Sequence, residues 1–146
     1  MQTVVILNPA ADHGRTSRLQ SLIPNWAEEF GGCQLWLTER PGHATELTRA
    51  AVDQGCQLVI AAGGDGTMHE IINGLAGDGP ATVPLGIIPL GSGNDYPHGL
   101  GLAEDPHQAY RRIFDGRQMV IDLALYEDGR GRSELAMNGL GIGFDA

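Results

Sequence analysis

The sequence predicts an α/β domain built in layers, in which helices flank a mostly parallel sheet. Short apolar runs alternate along the chain with amphipathic segments of helical length. The run from Leu58 to Ala62 is apolar throughout, as is typical of a strand that is buried on both faces. Glycine-rich stretches follow two of the apolar runs, and open α/β sheets bind ligands at the carboxyl ends of their strands.

The apolar runs mark the expected strands, and the amphipathic segments mark the expected helices. Gly31, Gly32 and Gly55 stand where the first two helices should end. Strands are predicted over Val4–Leu7, Gln34–Leu37, Leu58–Ala62, Leu85–Leu90 and Met119–Tyr126, with a sixth strand suggested over Glu134–Met137. Helices are predicted from Ser17 to about Phe30, and over Ala44–Gln54, Met68–Leu75 and Pro106–Phe114.

Two local signals bear on the first helix. Ser17 and Gln20 have the spacing of a capping box, in which the two side chains satisfy backbone N–H groups at the helix start. Pro24 falls inside the helix and should kink it or restart it, because proline lacks a donor and clashes with the preceding turn.

The composition excludes several classes of protein. With 146 residues, 42% of them hydrophobic and 18% charged, the chain resembles one globular domain. Its net charge of −9 argues against a nucleic-acid partner and against electrostatic docking on an anionic membrane. All nine basic residues are arginine, so no lysine can complete a Walker A loop. Phosphate chemistry would therefore depend on backbone N–H groups, arginine or a metal.

The cysteines and the N-terminal residues favour a cytoplasmic location. Cys33 and Cys56 each open a predicted strand and are expected to be free core thiols, which implies a reducing compartment. The first residues lack the basic flank and long apolar stretch of a signal peptide, and no apolar run approaches the roughly 20 residues that span a bilayer. The five histidines show no zinc-ligand spacing.

The strongest local signal is the Gly-Gly-Asp-Gly-Thr sequence of Gly63 to Thr67, between a predicted buried strand and a helix. Glycines let the backbone approach an anion, and a helix N-terminus offers unpaired N–H groups and a partial positive charge. Asp65 is either a turn former or a carboxylate that holds hydrated Mg²⁺ against a nucleotide. Thr67 and Glu70 have capping-box spacing, so both also have a purely structural interpretation.

A second glycine loop, Pro89 to Asp95, follows the next strand and can emerge at the same carboxyl edge of the sheet. Its alternative is a polar turn in which Asn94 and Asp95 are turn formers. Asn8 ends the first strand and should reach that edge too, unless it only begins a strand-ending turn. Asp122 lies in the fifth predicted strand, where its carboxylate must be exposed or paired.

Together these sequences resemble the diacylglycerol kinase catalytic domain family, which includes bacterial lipid kinases and sphingosine kinases. The resemblance runs the length of the chain. The Gly-Gly-Asp-Gly-Thr sequence alone is shared with NAD kinases, whereas the second loop at this distance makes the lipid-kinase resemblance specific. The matching pieces are Asn8-Pro9, Thr38 with Pro41–Ala44, Gly63–Thr67, Pro89–Asp95, Asp122 and Asn138–Ala146.

The resemblance implies ATP-dependent phosphorylation of a lipid hydroxyl, as in diacylglycerol, with ATP and Mg²⁺ as cofactors. The lipid substrate implies transient contact with a membrane surface, and a homodimer is compatible with the resemblance. Asp65, Asp95 and Asp122 are similar to the acidic set that organises Mg²⁺ and water near the phosphates. The nucleotide would be held by Asn8, Thr38, Gly63, Gly64, Asp65, Gly66, Thr67, Ser92, Gly93 and Asn94.

The resemblance also implies two domains. Residues 1–138 would form the α/β nucleotide-binding domain, and residues 139–146 would begin the connection to a β-rich second domain. That second domain would help to bind the lipid and would supply the catalytic base. The glycine-rich end of the chain, directly after a predicted strand, agrees with this expectation of a truncated chain whose base lies beyond Ala146.

The sequence departs from the family pattern at several positions. Ser92 stands where threonine is usual, which keeps the hydroxyl, and His69 stands where asparagine is common. Tyr96-Pro97-His98 replaces a more usual Phe-Ala-Arg, which puts a cationic contact there in doubt. The alternatives are an NAD kinase and a nucleotide-binding regulatory module without kinase activity.

Overall fold

The structure, a computed structural model, has the predicted α/β architecture with a parallel four-stranded sheet. It describes residues 1–77, 79, 81–91, 95–102 and 105–137, without the side chains of residues 12, 14, 15, 95 and 96. The strands are β1 (Thr3–Leu7), β2 (Gln34–Leu37), β3 (Leu58–Gly63) and β4 (Leu85–Pro89), in the order β2-β1-β3-β4. The helices are α1 (Leu19–Phe30), α2 (His43–Asp53), α3 (Asp65–Ala76), α4 (Asp95–Gly99) and α5 (Pro106–Phe114).

Alternation along β1 and β3 builds an apolar core on each face of the sheet, because successive side chains of a strand point to opposite faces. Val5 and Leu7 lie in one core with residues of α1 and α5, and Val4 and Ile6 lie in the other with residues of α2 and α3. Both strands are buried along their whole length, which explains their continuous apolar sequences.

The strand order reverses between β1 and β3. After β1 the chain moves to β2 on one side, and after β2 it returns past β1 to β3 on the other side. Right-handed crossovers then require α1 and α2 to cover opposite faces, as observed. The carboxyl ends of β1 and β3 therefore flank a topological switch point, where open α/β sheets bind their ligands.

The predicted start of the first helix is wrong. A 3₁₀ helix occupies Ala11–Arg18, and α1 begins at Leu19 with no side-chain cap, so Ser17 and Gln20 form no capping box. The helix runs through Pro24 without restarting. Pro24 and Gln20 are both exposed, so water can satisfy the carbonyl that proline leaves without a backbone donor.

The fifth predicted strand is shorter than expected and does not join the main sheet. It begins only at Ala124, as β5 (Ala124–Glu127), and pairs antiparallel with β6 (Ser133–Ala136) in a separate two-stranded sheet. The apolar residues that suggested an earlier start are exposed, and Val120 is 99% exposed. Apolar composition alone could not distinguish that exposed segment from a strand.

Asn73 of α3 holds the β5–β6 hairpin. Its Nδ2 donates to the carbonyl of Leu135 at 3.0 Å, and its Oδ1 accepts from the N–H of Leu135 at 2.8 Å. The side-chain amide thus pairs with a strand residue as a neighbouring strand would. Beside it, Glu134 accepts hydrogen bonds from Tyr126 and His69 and forms an ion pair with Arg132.

Acid is expected to loosen this hairpin. The hydrogen bond from Tyr126 contributes most to holding the pKa of Glu134 below its ordinary value of 4.5. The hydrogen bond from His69 and the positive charge of Arg132 lower this pKa further. A lowered folded-state pKa gives stability that is present above about pH 4.5 and is lost as the pH falls through the lower value. The Leu135 amide resonance should show a transition with its midpoint below pH 4.5, the ordinary pKa of the Glu134 carboxyl. A Glu134→Gln variant should lack that transition, and an identical transition in the variant would contradict the assignment.

Close packing of α3 on α2 gives a stability prediction. A Cβ on Gly74 would lie 2.7 Å from Thr48 Cβ and 2.9 Å from the carbonyl oxygen of Thr45. Gly74→Ala should lower the unfolding free energy by about 1–3 kcal/mol, the usual cost of overpacking. Gly66→Ala is the matched control on the same helix, since no described atom lies within 4 Å of its added Cβ. Urea titration of both variants tests this, and equal midpoints would contradict it.

Both cysteines are free thiols, as expected, and burial raises the pKa of each. Within the described ranges, no helix is long and apolar enough to cross a membrane. Residues 139–146, predicted to begin a connection to a second domain, lie outside the described residues.

Candidate active site

The strand register brings three of the predicted site residues into one row at the carboxyl edge of the sheet. Leu7 pairs with both Leu37 and Ala62, so Asn8, Thr38 and Gly63 follow at the same level. Backbone hydrogen bonds continue the ladder one step further, from Asn8 N–H to the Ala62 carbonyl at 3.0 Å and from Thr38 N–H to the Leu7 carbonyl at 2.9 Å. Asn8 therefore reaches the edge at which the Gly63–Thr67 loop begins, as predicted, and Thr38, which only the resemblance assigned to the site, lies in the same row.

Asn8 and Thr67 meet across the switch point. Asn8 Nδ2 donates to Thr67 Oγ1 at 3.1 Å, while Asn8 Oδ1 accepts from the N–H of Ala10 at 3.0 Å. The second contact orients the amide, so the first is directed at Thr67. The loop after β1 is thus tied to the start of α3, and the plain strand-ending turn is an incomplete account of Asn8.

The three glycines of Gly63–Thr67 lack a side chain at positions with different surroundings. A Cβ on Gly63 would lie 2.5 Å from Thr67 Oγ1, so this glycine makes room for the Thr67 side chain. A Cβ on Gly64 would lie 3.2 Å from Gly91 Cα, so this glycine lets the second loop approach. Gly66 is exposed, and no described atom lies within 4 Å of a Cβ there. Only at Gly66 is the space left open to a ligand.

Asp65 is the first residue of α3 and carries a buried oxygen that lacks a partner. Among the described side chains, Asp65 Oδ1 and Thr3 Oγ1 are the buried polar atoms without a hydrogen bond. Thr3 begins β1 and lies at the opposite end of the strand from the site. A buried carboxylate oxygen is costly to leave unpaired, so the Asp65 oxygen is arranged for a group that the described residues do not provide.

The arrangement at Asp65 fits hydrated Mg²⁺ bound with a phosphate. Mg²⁺ in phosphate sites is held by one or two carboxylates, phosphate oxygens and several waters, so it does not require a cage of protein ligands. The described residues contain no group of three or more histidine, cysteine, aspartate or glutamate side chains that could hold a metal alone. A single carboxylate at a helix N-terminus agrees with a site in which the protein and a phosphate bind Mg²⁺ together.

The N-termini of α2 and α3 differ in whether a carboxylate accepts hydrogen bonds from their backbone N–H groups. At α2, the Glu70 carboxylate accepts hydrogen bonds from the N–H groups of Gly42 at 2.8 Å and Ala44 at 3.0 Å. At α3, the N-cap residue is Gly64, and no described side chain caps the helix. The N-terminus of α3 is therefore the one that remains available to a phosphate.

The capping-box interpretation of Thr67 and Glu70 is wrong. α3 begins at Asp65 rather than near Met68, so both residues lie inside the helix. Thr67 Oγ1 accepts from Asn8, and Glu70 binds the start of α2. The spacing rule considers one helix at a time, whereas both contacts cross to neighbouring segments that only the fold brings close.

The structure describes the remaining predicted site residues only in part. Ser92, Gly93 and Asn94 lie outside the described residues, and Asp95 is described only in its backbone, as the first residue of α4. Asp122 is exposed and lies two residues before β5, so its predicted position within a strand is wrong. Its predicted role in organising Mg²⁺ stays a prediction.

Two residues with clear positions near the site were absent from the predicted set. Glu70 was interpreted as a cap of its own helix, and Gly91 was quoted only as part of the second loop. Gly91 follows β4, and the N–H of its neighbour Leu90 donates to the Gly63 carbonyl at 3.0 Å. The close spacing of glycines in both loops was the available signal for the contact between Gly64 and Gly91.

Comparison with known proteins identifies the family. A family model described as "Diacylglycerol kinase catalytic domain" matches residues 2–126 of the chain. The chain belongs to the diacylglycerol kinase catalytic domain family. This confirms the resemblance on which the site assignments were based.

Several relatives match the chain in sequence or in structure. A protein named "Probable lipid kinase YegS-like" from Chromohalobacter salexigens is 42% identical over 63% of this chain and 30% of its own length. A diacylglycerol kinase from Staphylococcus carnosus is 34% identical over 82% of this chain and 39% of its own. The crystal structure of a diacylglycerol kinase from Bacillus anthracis matches with a TM-score of 0.67 and 31% identity, covering 78% of this chain and 42% of that one. The chain therefore spans less than half of each relative.

Proposed function

We propose that this chain is the ATP-binding part of a kinase that transfers a phosphoryl group to the hydroxyl of a lipid. The observation that carries the proposal is the unpaired, buried oxygen of Asp65 at the uncapped N-terminus of α3, directly after β3 at the switch point. Family membership supports the same reaction class. The lipid is expected to be diacylglycerol or a related lipid with a free hydroxyl, presented at a membrane surface.

The described residues have distinct parts in this proposal. The N–H groups at the start of α3 would face the nucleotide phosphates, with the open space at Gly66 admitting them. Asp65 would hold hydrated Mg²⁺, which neutralises charge on the phosphates. Asn8 and Thr67 hold the loops after β1 and β3 at a fixed separation. Phosphoryl transfer depends mainly on such positioning and charge neutralisation, so a rigid arrangement of loops suits it.

The domain division is part of the proposal. Residues 1–138 would be the nucleotide-binding domain, and residues 139–146 would lead to a β-rich domain that supplies the catalytic base. The match of this chain to less than half of each relative supports it. The location would be cytoplasmic with transient contact to membranes.

A substrate assay on the full-length protein tests the reaction class. The protein should transfer the terminal phosphoryl group of ATP, with Mg²⁺ present, to diacylglycerol in mixed vesicles, and it should leave NAD⁺ unmodified. Phosphorylation of NAD⁺ instead would make it an NAD kinase. Binding of ATP without transfer to NAD⁺, to diacylglycerol or to any related lipid with a free hydroxyl would make it a regulatory module.

A further inference from the structure

Glu70 connects two parts of the site that the sheet alone does not join. It lies three residues after Thr67 on α3, and residues at this spacing share a helical face. Its two carboxylate oxygens reach Gly42 and Ala44, at the start of α2, instead of a group on its own helix. Hydrogen bonds from backbone N–H groups to a carboxylate are charge-assisted and stronger than neutral ones. The pairing therefore fixes the start of α2 against α3.

Further contacts hold the segment between β2 and α2 in one conformation and attach it to α3. Thr45 Oγ1 donates to the backbone carbonyl of Glu70 at 2.8 Å, which adds a second connection to α3. The N–H of Glu39 donates to His43 Nδ1 at 3.1 Å and closes the turn. Gly42 has a φ of +80°, a conformation that glycine adopts without strain. The turn between Thr38 and His43 is thus preorganised and held from α3.

The turn begins at the site itself. Thr38 stands in the edge row with Asn8 and Gly63, and its N–H is fixed to the Leu7 carbonyl. Movement of the turn away from α3 would therefore widen the space between the loop after β2 and the N-terminus of α3. Asp65 and Thr67 lie at that N-terminus.

We propose that Glu70 is a positioning residue that sets nucleotide affinity by holding the turn of residues 39–42 against α3. This inference rests on the proposed function, because it assumes that a nucleotide occupies the edge of the sheet. Glu70 needs no contact with the nucleotide for this role. Its carboxylate accepts hydrogen bonds from the N–H groups at the start of α2, so a phosphate is not needed there. The phosphates would bind instead at the N-terminus of α3, which has no side-chain cap.

Glu70→Gln tests the inference with little change in size. In the place of the carboxylate, the glutamine amide puts its oxygen at one of the two N–H groups, of Gly42 or Ala44, and turns an NH₂ donor toward the other. Calorimetric titration should show a dissociation constant for ATP–Mg²⁺ raised roughly tenfold, as the loss of a charge-assisted hydrogen bond predicts. In the full-length protein KM for ATP should rise similarly while kcat stays within about twofold. Glu28→Gln, at an exposed glutamate on α1 away from this turn, is the matched control and should leave both unchanged.

Gly42→Ala perturbs the same turn without altering α3. Space is open around its Cβ, but a φ of +80° is strained for alanine, so the turn should shift and the ATP dissociation constant should again rise. This variant decides the matter if Glu70→Gln does not fold. If both folded variants bind ATP–Mg²⁺ with the same affinity as the wild type, the proposed role of Glu70 is overturned. No binding by the folded wild-type chain would overturn the proposed function first.

Discussion

Asp65→Asn should lower phosphoryl transfer by the full-length protein more than a hundredfold while the protein stays folded. Asparagine keeps the size and turn propensity of aspartate but loses the charge that would hold hydrated Mg²⁺. A hundredfold loss corresponds to about 3 kcal/mol of transition-state stabilisation, since each 1.36 kcal/mol is tenfold in rate. Steady-state kinetics at several Mg²⁺ concentrations is the measurement.

The same substitution separates catalysis from folding. The favourable position of a negative charge at a helix N-terminus is worth about 0.3–1 kcal/mol, so the loss of unfolding free energy should not exceed that range. Asp53→Asn, at the exposed end of α2, is the matched charge control and should retain full activity. If Asp65 is only a turn former, Asp65→Asn on a well-folded protein should stay within about threefold of wild type, and the metal role would be excluded.

Gly66→Val should strongly weaken nucleotide binding while the folded chain retains its stability. The described protein leaves the space around a Gly66 Cβ open, and valine is at least as favourable as glycine in a helix. A branched side chain would instead occupy the place where phosphates must approach the N-terminus of α3. Affinity for ATP–Mg²⁺ should fall by on the order of a hundredfold, judged by calorimetry, as a steric block of the main anion site implies.

A second glycine provides the control for this loss. Gly32 is exposed, and no described atom lies within 4 Å of its added Cβ, so Gly32→Val repeats the chemical change away from the site. It should bind ATP as the wild type does. Normal binding by a folded Gly66→Val variant would show that the phosphates do not reach this part of α3.

Local patterns were sufficient to predict the four strands of the main sheet and the edge at which the site lies. Continuous apolar sequences marked β1 and β3, because both strands are buried on both faces. Asn8 and the Gly63–Thr67 loop were expected at one edge since parallel strands end at a common edge, and the register confirms it. Glycine spacing similarly indicated the two loops.

Contacts between distant segments could not be predicted from local rules. Thr67 and Glu70 matched a capping box in spacing, yet each pairs with a residue far along the chain, Asn8 in one case and Gly42 in the other. The exposed apolar residues before β5 resembled strand residues because composition does not report exposure. Asp122 was misplaced for the same reason.

Calorimetric titration of this chain with ATP, in the presence and absence of Mg²⁺, tests the central claim most directly. The account predicts binding that is roughly tenfold or more tighter with Mg²⁺, equivalent to about 1.4 kcal/mol or more. It also predicts that Asp65→Asn removes this dependence on Mg²⁺ while Asp53→Asn keeps it. A folded wild-type chain that binds no ATP, or binds it equally well without Mg²⁺, would contradict the account.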